Sequence, residues 1–478
     1  MKKVDIDKIS ILPNSTIKQA MQAINNGEMG VVFVVDKKGF LNNLLTDGDI
    51  RRALLKGYGL QSTIAVIDKA NPIVAKIDTP LINISKMFSD KIRIIPIVDE
   101  KNKIIDVHFK DKKSFIPVTN PFFDENEIEL LNECIISGWI SSGGVYVNEF
   151  EKIVAKHTGT NHAISCSSGT SGLHLALMSY DIGPGDEVIV PSLTFIATAN
   201  AVTYTGAKPI FVDSDLKSWN IDPKLIETSI TKKTKAIIPV HLYGLPADMD
   251  AINHIAKKYN LIVIEDASEA QGAKYKNKMV GTLGDAAVFS FFGNKIITTG
   301  EGGMIVTNNQ AIAEKCEILR DHGMSKSKRY WHNVLGYNYR MTNIQAAIGV
   351  AQMKKIESII KKKRSIASEY KRNLKSIPGI IFPAEDAINE NVFWLFTIII
   401  DKNLFGMSSN DLMHRLKEYN IDTRPIFYPL HTQPIYNNNQ SLPKAEKIHA
   451  GGVTLPSAYD LQVNEIKKIC DLIKNCAK

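Results

Sequence analysis

From Pro117 onward, short apolar runs alternate with stretches of helical spacing. The runs are HAISCS, DEVIVPS, KPIFVDSD, TKAIIPVH, LIVIEDAS, AAVFSFF and GGMIVTN, and segments such as SGLHLALMSY and DMDAINHIAKKYN lie between the early ones. Continuous apolar runs suit strands covered on both faces, and alternation with helices suits crossover connections. An α/β domain with a mostly parallel central sheet is therefore predicted. Such sheets bind ligands outside the carboxyl ends of their strands, so the residues just after each run are where chemistry is expected. After about Tyr370, a strand-like core (NVFWLFTIII) with helical flanks predicts a smaller α+β domain. A long helix through Asn343 to Tyr370 is expected to join the two.

The first stretch of the chain, residues 1–112, reads differently. GVVFVVDKKGFLNNLL and IRIIPIVDEKNKIIDVHF share one pattern: an apolar run, Val-Asp, a polar turn, a second apolar run. Val35-Asp36 and Val98-Asp99 stand 63 residues apart, and helical stretches (Thr16 to Asn25, Leu81 to Ser89) precede each copy. An internal duplication accounts for this. KDKKSF, Lys110 to Phe115, is the junction to the α/β domain. The predicted domains are residues 1–112, 113–370 and 371–478.

Other bulk features bound the function. The net charge is +8, and the densest run, KKIESIIKKKR, carries Ile356, Ile359 and Ile360 at helical spacing. It reads as a solvated helix face; no aromatic interleaving points to nucleic acid, although the charge suits an anionic substrate. The longest apolar runs are far too short to span a membrane, and MKKVDIDKISILPNS lacks the apolar core of a signal peptide. Five scattered cysteines without metal-like spacing fit a reducing cytoplasm and no metal site.

Four loops after predicted strands stand out. SSGTSG opens a helix, so Gly169 and Thr170 with their neighbours can offer N–H groups and a hydroxyl to an anion. Helix capping alone is the competing reading. In PSLTFIATANA, Phe195 can plate a ring or fill the core. In EDASEAQGA, Asp266 follows a buried strand, where a carboxylate needs a cation, donors or a capping role. In SFFGNKIITTGEGG, Ser290 ends a strand and Lys295 lies in a glycine-rich loop, where ordering a lysine is costly without a partner. An anion loop, a plate, a carboxylate and a lysine together match pyridoxal phosphate. Its aldehyde needs an amine, its ring nitrogen an anionic partner, and its phosphate N–H groups and hydroxyls.

Residues 117 to 478 resemble the DegT-type nucleotide-sugar aminotransferases of the aspartate-aminotransferase (type I) fold. The motifs that carry the resemblance are SGWISSGGVYVNEFE, SSGTSGLHLAL, PSLTFIATANA, HLYGLPADMD, IEDASEAQGA, SFFGNKIITTGEGG, GYNYRMTNIQAAIG and RPIFYPLHTQP. The resemblance implies that Lys295 forms the Schiff base and moves the proton, Asp266 pairs with the pyridinium nitrogen and Phe195 stacks on the ring. It implies that Gly169, Thr170 and Ser290 hold the phosphate, with Asn338 reaching it from a neighbouring subunit. Glu269 stands where many relatives carry His or Gln, and Arg424 and His431 match positions near the sugar nucleotide. Related dehydratases replace the lysine with histidine, so Lys295 favours transamination.

The implied reaction takes an amino group from L-glutamate to the C4 keto group of a 4-keto-6-deoxyhexose on GDP or UDP, with a C3-keto sugar as the alternative. A homodimer or dimer of dimers, acting in surface-polysaccharide synthesis, is implied with it. Two other classes are weighed: a non-catalytic nucleotide-sensing regulator, which the intact Lys295 and phosphate loop disfavour, and a pyridoxal enzyme of another reaction, such as sugar dehydration or amino-acid decarboxylation, which would lack the nucleotide-sugar motifs. LLTDGDIRRALLKG, in the N-terminal segment, resembles a cystathionine-β-synthase (CBS) motif of a paired Bateman module. That resemblance implies that Thr46 and Asp49 contact the ribose of an adenine nucleotide or nucleotide sugar; a helix cap at Asp49 is the other reading. The second copy has no T-x-x-D, so at most one such site is expected.

Overall fold

Apolar alternation and turn chemistry build each part of the chain separately. The computed structural model describes residues 6–27, 30–67, 72–80, 83–84, 87–89, 92–109, 115–384, 389–437 and 439–478. It divides into two units, Met1–Ser114 and Phe115–Lys478.

Among the described residues, the N-terminal unit holds two three-stranded sheets. One orders β1 (Ser10–Ile11), β2 (Val31–Val35) and β3 (Leu41–Thr46); the other orders β4 (Ala75–Lys76), β5 (Ile94–Val98) and β6 (Ile104–Phe109). In each, the first pair is parallel and the second antiparallel. The register slips at Val34/Val35 in one hairpin and at Ile97/Val98, 63 residues later, in the other. The turns match too: Asp36 Oδ1 accepts the N–H of Lys38 (2.8 Å) and Phe40 (3.0 Å), and Asp99 Oδ1 those of Lys101 and Lys103 (both 2.9 Å). Each Val-Asp pair ends a strand and closes its turn through the carboxylate. The helix predicted at residues 81–89 and the junction at 110–115 lie partly outside the described residues.

In the second unit the seven runs form one sheet. Its strands are β7 (His162–Cys166), β8 (Glu187–Pro191), β9 (Lys208–Val212), β10 (Thr234–Ile237), β11 (Ile262–Asp266), β14 (Ala286–Ser290) and β15 (Gly303–Thr307), with a small hairpin of β12 (Lys274–Tyr275) and β13 (Lys278–Met279) between. Their order is β7-β15-β14-β11-β10-β8-β9, and only β15 runs antiparallel. The carboxyl ends of the other six strands therefore share one edge. A second, antiparallel sheet orders β16 (Ile380–Ile381), β18 (Phe396–Ile400), β20 (Gly452–Leu455) and β19 (Arg424–Pro425), while β17 (Asn389–Glu390) joins β12.

Three expectations are corrected. The long helix is two, Asn343–Met353 and Ile356–Leu374, broken at Lys355 (φ −119°, ψ 8°). No Pro or Gly marks the break; Lys355 Nζ there meets Glu127 at 2.6 Å and Asp124 at 3.0 Å, while Met353 and Ile356 on either side both stay buried. In NVFWLFTIII only Phe396–Ile400 is strand, and Phe393 sits at φ +49°. The lysine-rich run is not uniformly solvated, because Lys363 is 4% exposed. Its Nζ donates to the carbonyls of Ser457 (2.6 Å) and Trp394 (3.0 Å), and burial brings its pKa down to about 7.

Candidate active site

Three strand ends and one antiparallel start build the floor of the site. The backbone of Gly303 lies between Cys166 and Ser290, pairing with both. A Cβ there would stand 2.3 Å from the Ser168 carbonyl, so the glycine of TTGEGG lets the post-β7 loop cross the sheet edge. Ser168 then caps the helix Gly169–Ser179 in a capping box with Ser171. With the Ser171 N–H bonded to Ser168 Oγ (3.1 Å) and that of Gly172 to Ser168 O (3.0 Å), the amides of Gly169 and Thr170 are the first-turn donors open to an anion. A Cβ on Gly169 would lie 2.9 Å from Ser290 Cβ and 3.3 Å from Ser268 Oγ, filling the cradle between them.

A cavity of about 320 Å³ lies over this floor. Lining it are Gly169, Thr170, Phe195, Asp266, Glu269, Ser290 and Lys295, seven of the residues singled out from the sequence. Asp266, at the end of β11, is 5% exposed; its Oδ2 accepts from Thr198 Oγ1 (2.7 Å) and Oδ1 from the Ser268 N–H (3.2 Å). Phe195 is 56% exposed and turns to the cavity, not the core. Lys295 Nζ lies 3.9 Å from the centre of the Trp394 ring. Burial lowers the pKa of Lys295, opposed by the charges of Glu269 and Asp266. Glu269, 4% exposed, is pushed up to about 7 by burial; Lys295 and the Tyr243 N–H, bonded to Oε2 at 2.7 Å, oppose this, and Asp266 adds to it.

The donor set fits pyridoxal phosphate. The Gly169 cradle, with Thr170 and Ser290, suits a phosphate; Asp266 suits a ring cation; Lys295 supplies the amine; Phe195 supplies the plate. Among the described residues no group of three or more His, Cys, Asp or Glu is placed to hold a metal.

A second cavity, about 460 Å³, shares Thr194, Phe195, Asn294, Trp394 and Phe427 with the first, and exposed Arg424 lines it. His431 lines neither cavity. It is buried, with Nδ1 2.6 Å from Ser192 Oγ and Nε2 3.1 Å from Glu446 Oε1. Nδ1 ties the ring to the loop that carries Phe195, and Nε2 ties it to the helix Pro443–Gly451. Asn338 is exposed, pairs with Asp321 and lines neither cavity of its own chain.

Residues 121–474 match the DegT/DnrJ/EryC1/StrS aminotransferase family. The chain belongs to that family. It is a pyridoxal-phosphate-dependent aminotransferase. Two similar proteins are GDP-perosamine synthases: that of Escherichia coli O157:H7 is 47% identical over 75% of this chain and 98% of its own length, and that of Caulobacter vibrioides 45% over 74% and 96%. A solved neighbour is DesV of S. venezuelae in complex with a ketimine intermediate, with TM-score 0.70 and 34% identity over 73% of this chain and 94% of that one. Residues 2–56 match the CBS domain, which covers the first copy of the duplication.

In that first copy Thr46 and Asp49 bind one another. Thr46 caps the helix Asp47–Leu55, Asp49 N donates to Thr46 Oγ1 (3.2 Å), and Asp49 Oδ2 accepts from Thr46 N (2.8 Å) and Oγ1 (2.7 Å). T-x-x-D is here a reciprocal cap, with Thr46 at its head and Asp49 returning the bond.

Sequence reasoning passed over Trp394, Tyr243, Thr198 and Asn294. Tyr243 follows HL in the HLYGLPADMD motif and sits at φ +54°, a backbone state a tyrosine rarely holds. Trp394 lies inside an apolar run that reads as a strand core, so nothing local distinguishes it.

Proposed function

We propose that this chain moves an amino group from L-glutamate to the C4 keto group of a GDP-linked 4-keto-6-deoxyhexose. The observation that carries the reading is the pair of cavities with a common wall: Lys295 stands in one and Arg424 lines the other. The Escherichia coli and Caulobacter relatives, both GDP-perosamine synthases, support the same substrate class.

Pyridoxal phosphate, when bound, supplies an electron sink that makes the donor's α-proton labile. Asp266, held in place by Thr198 and Ser268, would hold the ring nitrogen of the cofactor. Gly169, Thr170 and Ser290 anchor the phosphate. Lys295 Nζ must be neutral to take a proton, and burial favours that state. The amine takes the proton from the donor carbon and returns it on the far side of the exchange. Arg424 offers its guanidinium to the anionic nucleotide. Exposed Asn338 reaches the phosphate of a partner's site, which makes the working form a homodimer or a dimer of dimers. The enzyme acts in the cytoplasm and feeds surface-polysaccharide synthesis. In the N-terminal module, Asp49 exchanges its Thr46 bond for a ribose hydroxyl of an adenine nucleotide or nucleotide sugar.

An absorbance spectrum of the purified protein, before and after L-glutamate, tests the donor half. The cofactor band should shift to the amine form, and a GDP-linked 4-keto-6-deoxyhexose should restore it. Restoration by the UDP-linked sugar alone would reject the nucleotide assignment, and no shift with glutamate would reject the donor.

A further inference from the structure

Trp394 is held from two directions. Its indole Nε1 donates to the carbonyl of Asn294 at 2.6 Å, the residue before Lys295, and its ring faces Lys295 Nζ at 3.9 Å. Its own carbonyl is held at 3.0 Å by Lys363 Nζ, from the helix Ile356–Leu374. The next residue on that helix grips the same segment, Arg364 donating to the Asn391 carbonyl at 2.6 Å. Between these two grips Phe393 sits at φ +49°, its N–H bonded to Asn391 Oδ1 at 2.7 Å. A side chain at positive φ persists only where its surroundings enforce it. Lys363 also ties Trp394 to Ser457, whose Oγ accepts the Phe396 N–H at 2.9 Å. A buried lysine is a costly way to satisfy two carbonyls, so its place beneath the one indole that meets the reactive amine calls for a reason.

We infer that Lys363 is a positioning residue for the reaction: it fixes the turn Asn391–Trp394 so that the indole face confines Lys295 Nζ at the wall between the two cavities. This rests on the role proposed for Lys295. Without Lys363 the Trp394 carbonyl loses its donor, the turn relaxes toward ordinary φ, and the indole no longer defines where the amine waits. The charged groups that face Lys295 are Glu269 and Asp266, and neither touches Lys363.

The test compares Lys363→Met, Trp394→Phe and the double variant as holoenzymes. The expected result is a kcat lowered about tenfold in each single variant, with KM for L-glutamate little changed, and a double variant no slower than Trp394→Phe. The pH midpoint of the resting cofactor band should shift in the same direction in both single variants. A purely structural Lys363 would move the melting temperature and leave that midpoint in place. Wild-type kcat and midpoint in Lys363→Met, or losses that multiply in the double variant, would overturn the inference. Should Lys363→Met not fold, Lys363→Gln, an uncharged and shorter side chain that keeps an N–H donor, carries the same cycle with Trp394→Phe. Lys295→Ala separates two failures: turnover there overturns the assignment of Lys295 and this inference with it, while wild-type behaviour of Lys363→Met overturns this inference alone.

Discussion

At the scale of single residues, burial lowers the pKa of Lys295 and raises that of Glu269. Lys295→Ala and Lys295→Arg should both abolish turnover, measured as amino transfer to the keto sugar; neither methyl nor guanidinium can take a proton at neutral pH. Gly169→Ala should weaken cofactor binding by tenfold or more, on the order of 1–2 kcal/mol, because its Cβ would press on Ser290. Titration of the apoenzyme with pyridoxal phosphate checks this. Glu269 carries a pH signature. Its pKa rises from 4.5 unfolded to about 7 folded, so the folded state binds the extra proton between those values. Stability therefore falls as pH rises through that window, and the full penalty, roughly 3 kcal/mol, is present above pH 7. Glu269→Gln should raise the melting temperature of the cofactor-free protein more at pH 8 than at pH 5. An equal rise at both would place the titration elsewhere.

At the scale of elements, caps and buried lysines decide boundaries that periodicity leaves open. The cap of Thr46 on the helix Asp47–Leu55 should be worth about 1 kcal/mol. Thr46→Ala should speed amide exchange in that helix by about the matching factor, read by mass spectrometry on the full chain. Lys363 gives the opposite kind of effect. Its folded pKa of about 7 lies below its unfolded value, so the unfolded chain binds the extra proton between about 7 and 10. Its penalty is full below pH 7 and fades as pH rises. A neutral amine still has two N–H bonds, enough for both carbonyls it meets. The wild type should therefore gain about 2–3 kcal/mol on Lys363→Met between pH 7 and 9, compared by their melting temperatures at the two pH values. The seven strands were legible because each is a short apolar run between turn signals. The helix break at Lys355 was not, because it is set by carboxylates more than two hundred residues earlier in the chain.

At the scale of the whole molecule, the aminotransferase family match lies wholly within the second unit. About three quarters of this chain spans 98% of the Escherichia coli relative, so that relative's length leaves little room for a counterpart of the N-terminal unit. Removing residues 1–114 should leave a folded protein that transfers amino groups at near the rate of the full chain. A rate that changes with added adenine nucleotide in the full chain alone would assign regulation to the N-terminal unit. Loss of folding in the shortened chain would instead make that unit part of the core.

The sequence alone determined the class of sheet, the sheet edge that carries the cavity, the duplication near the start and seven of the residues that line that cavity. Each is a local signal: an apolar run, a turn carboxylate, a glycine beside a reactive side chain. Tertiary structure alone decided what those residues lean on. It set His431 between Ser192 and Glu446, bound Thr46 to Asp49, buried Lys363 within a charged run and brought Trp394 against Lys295. These depend on contacts between residues far apart in the chain, where burial and hydrogen bonding, and not spacing, set the outcome.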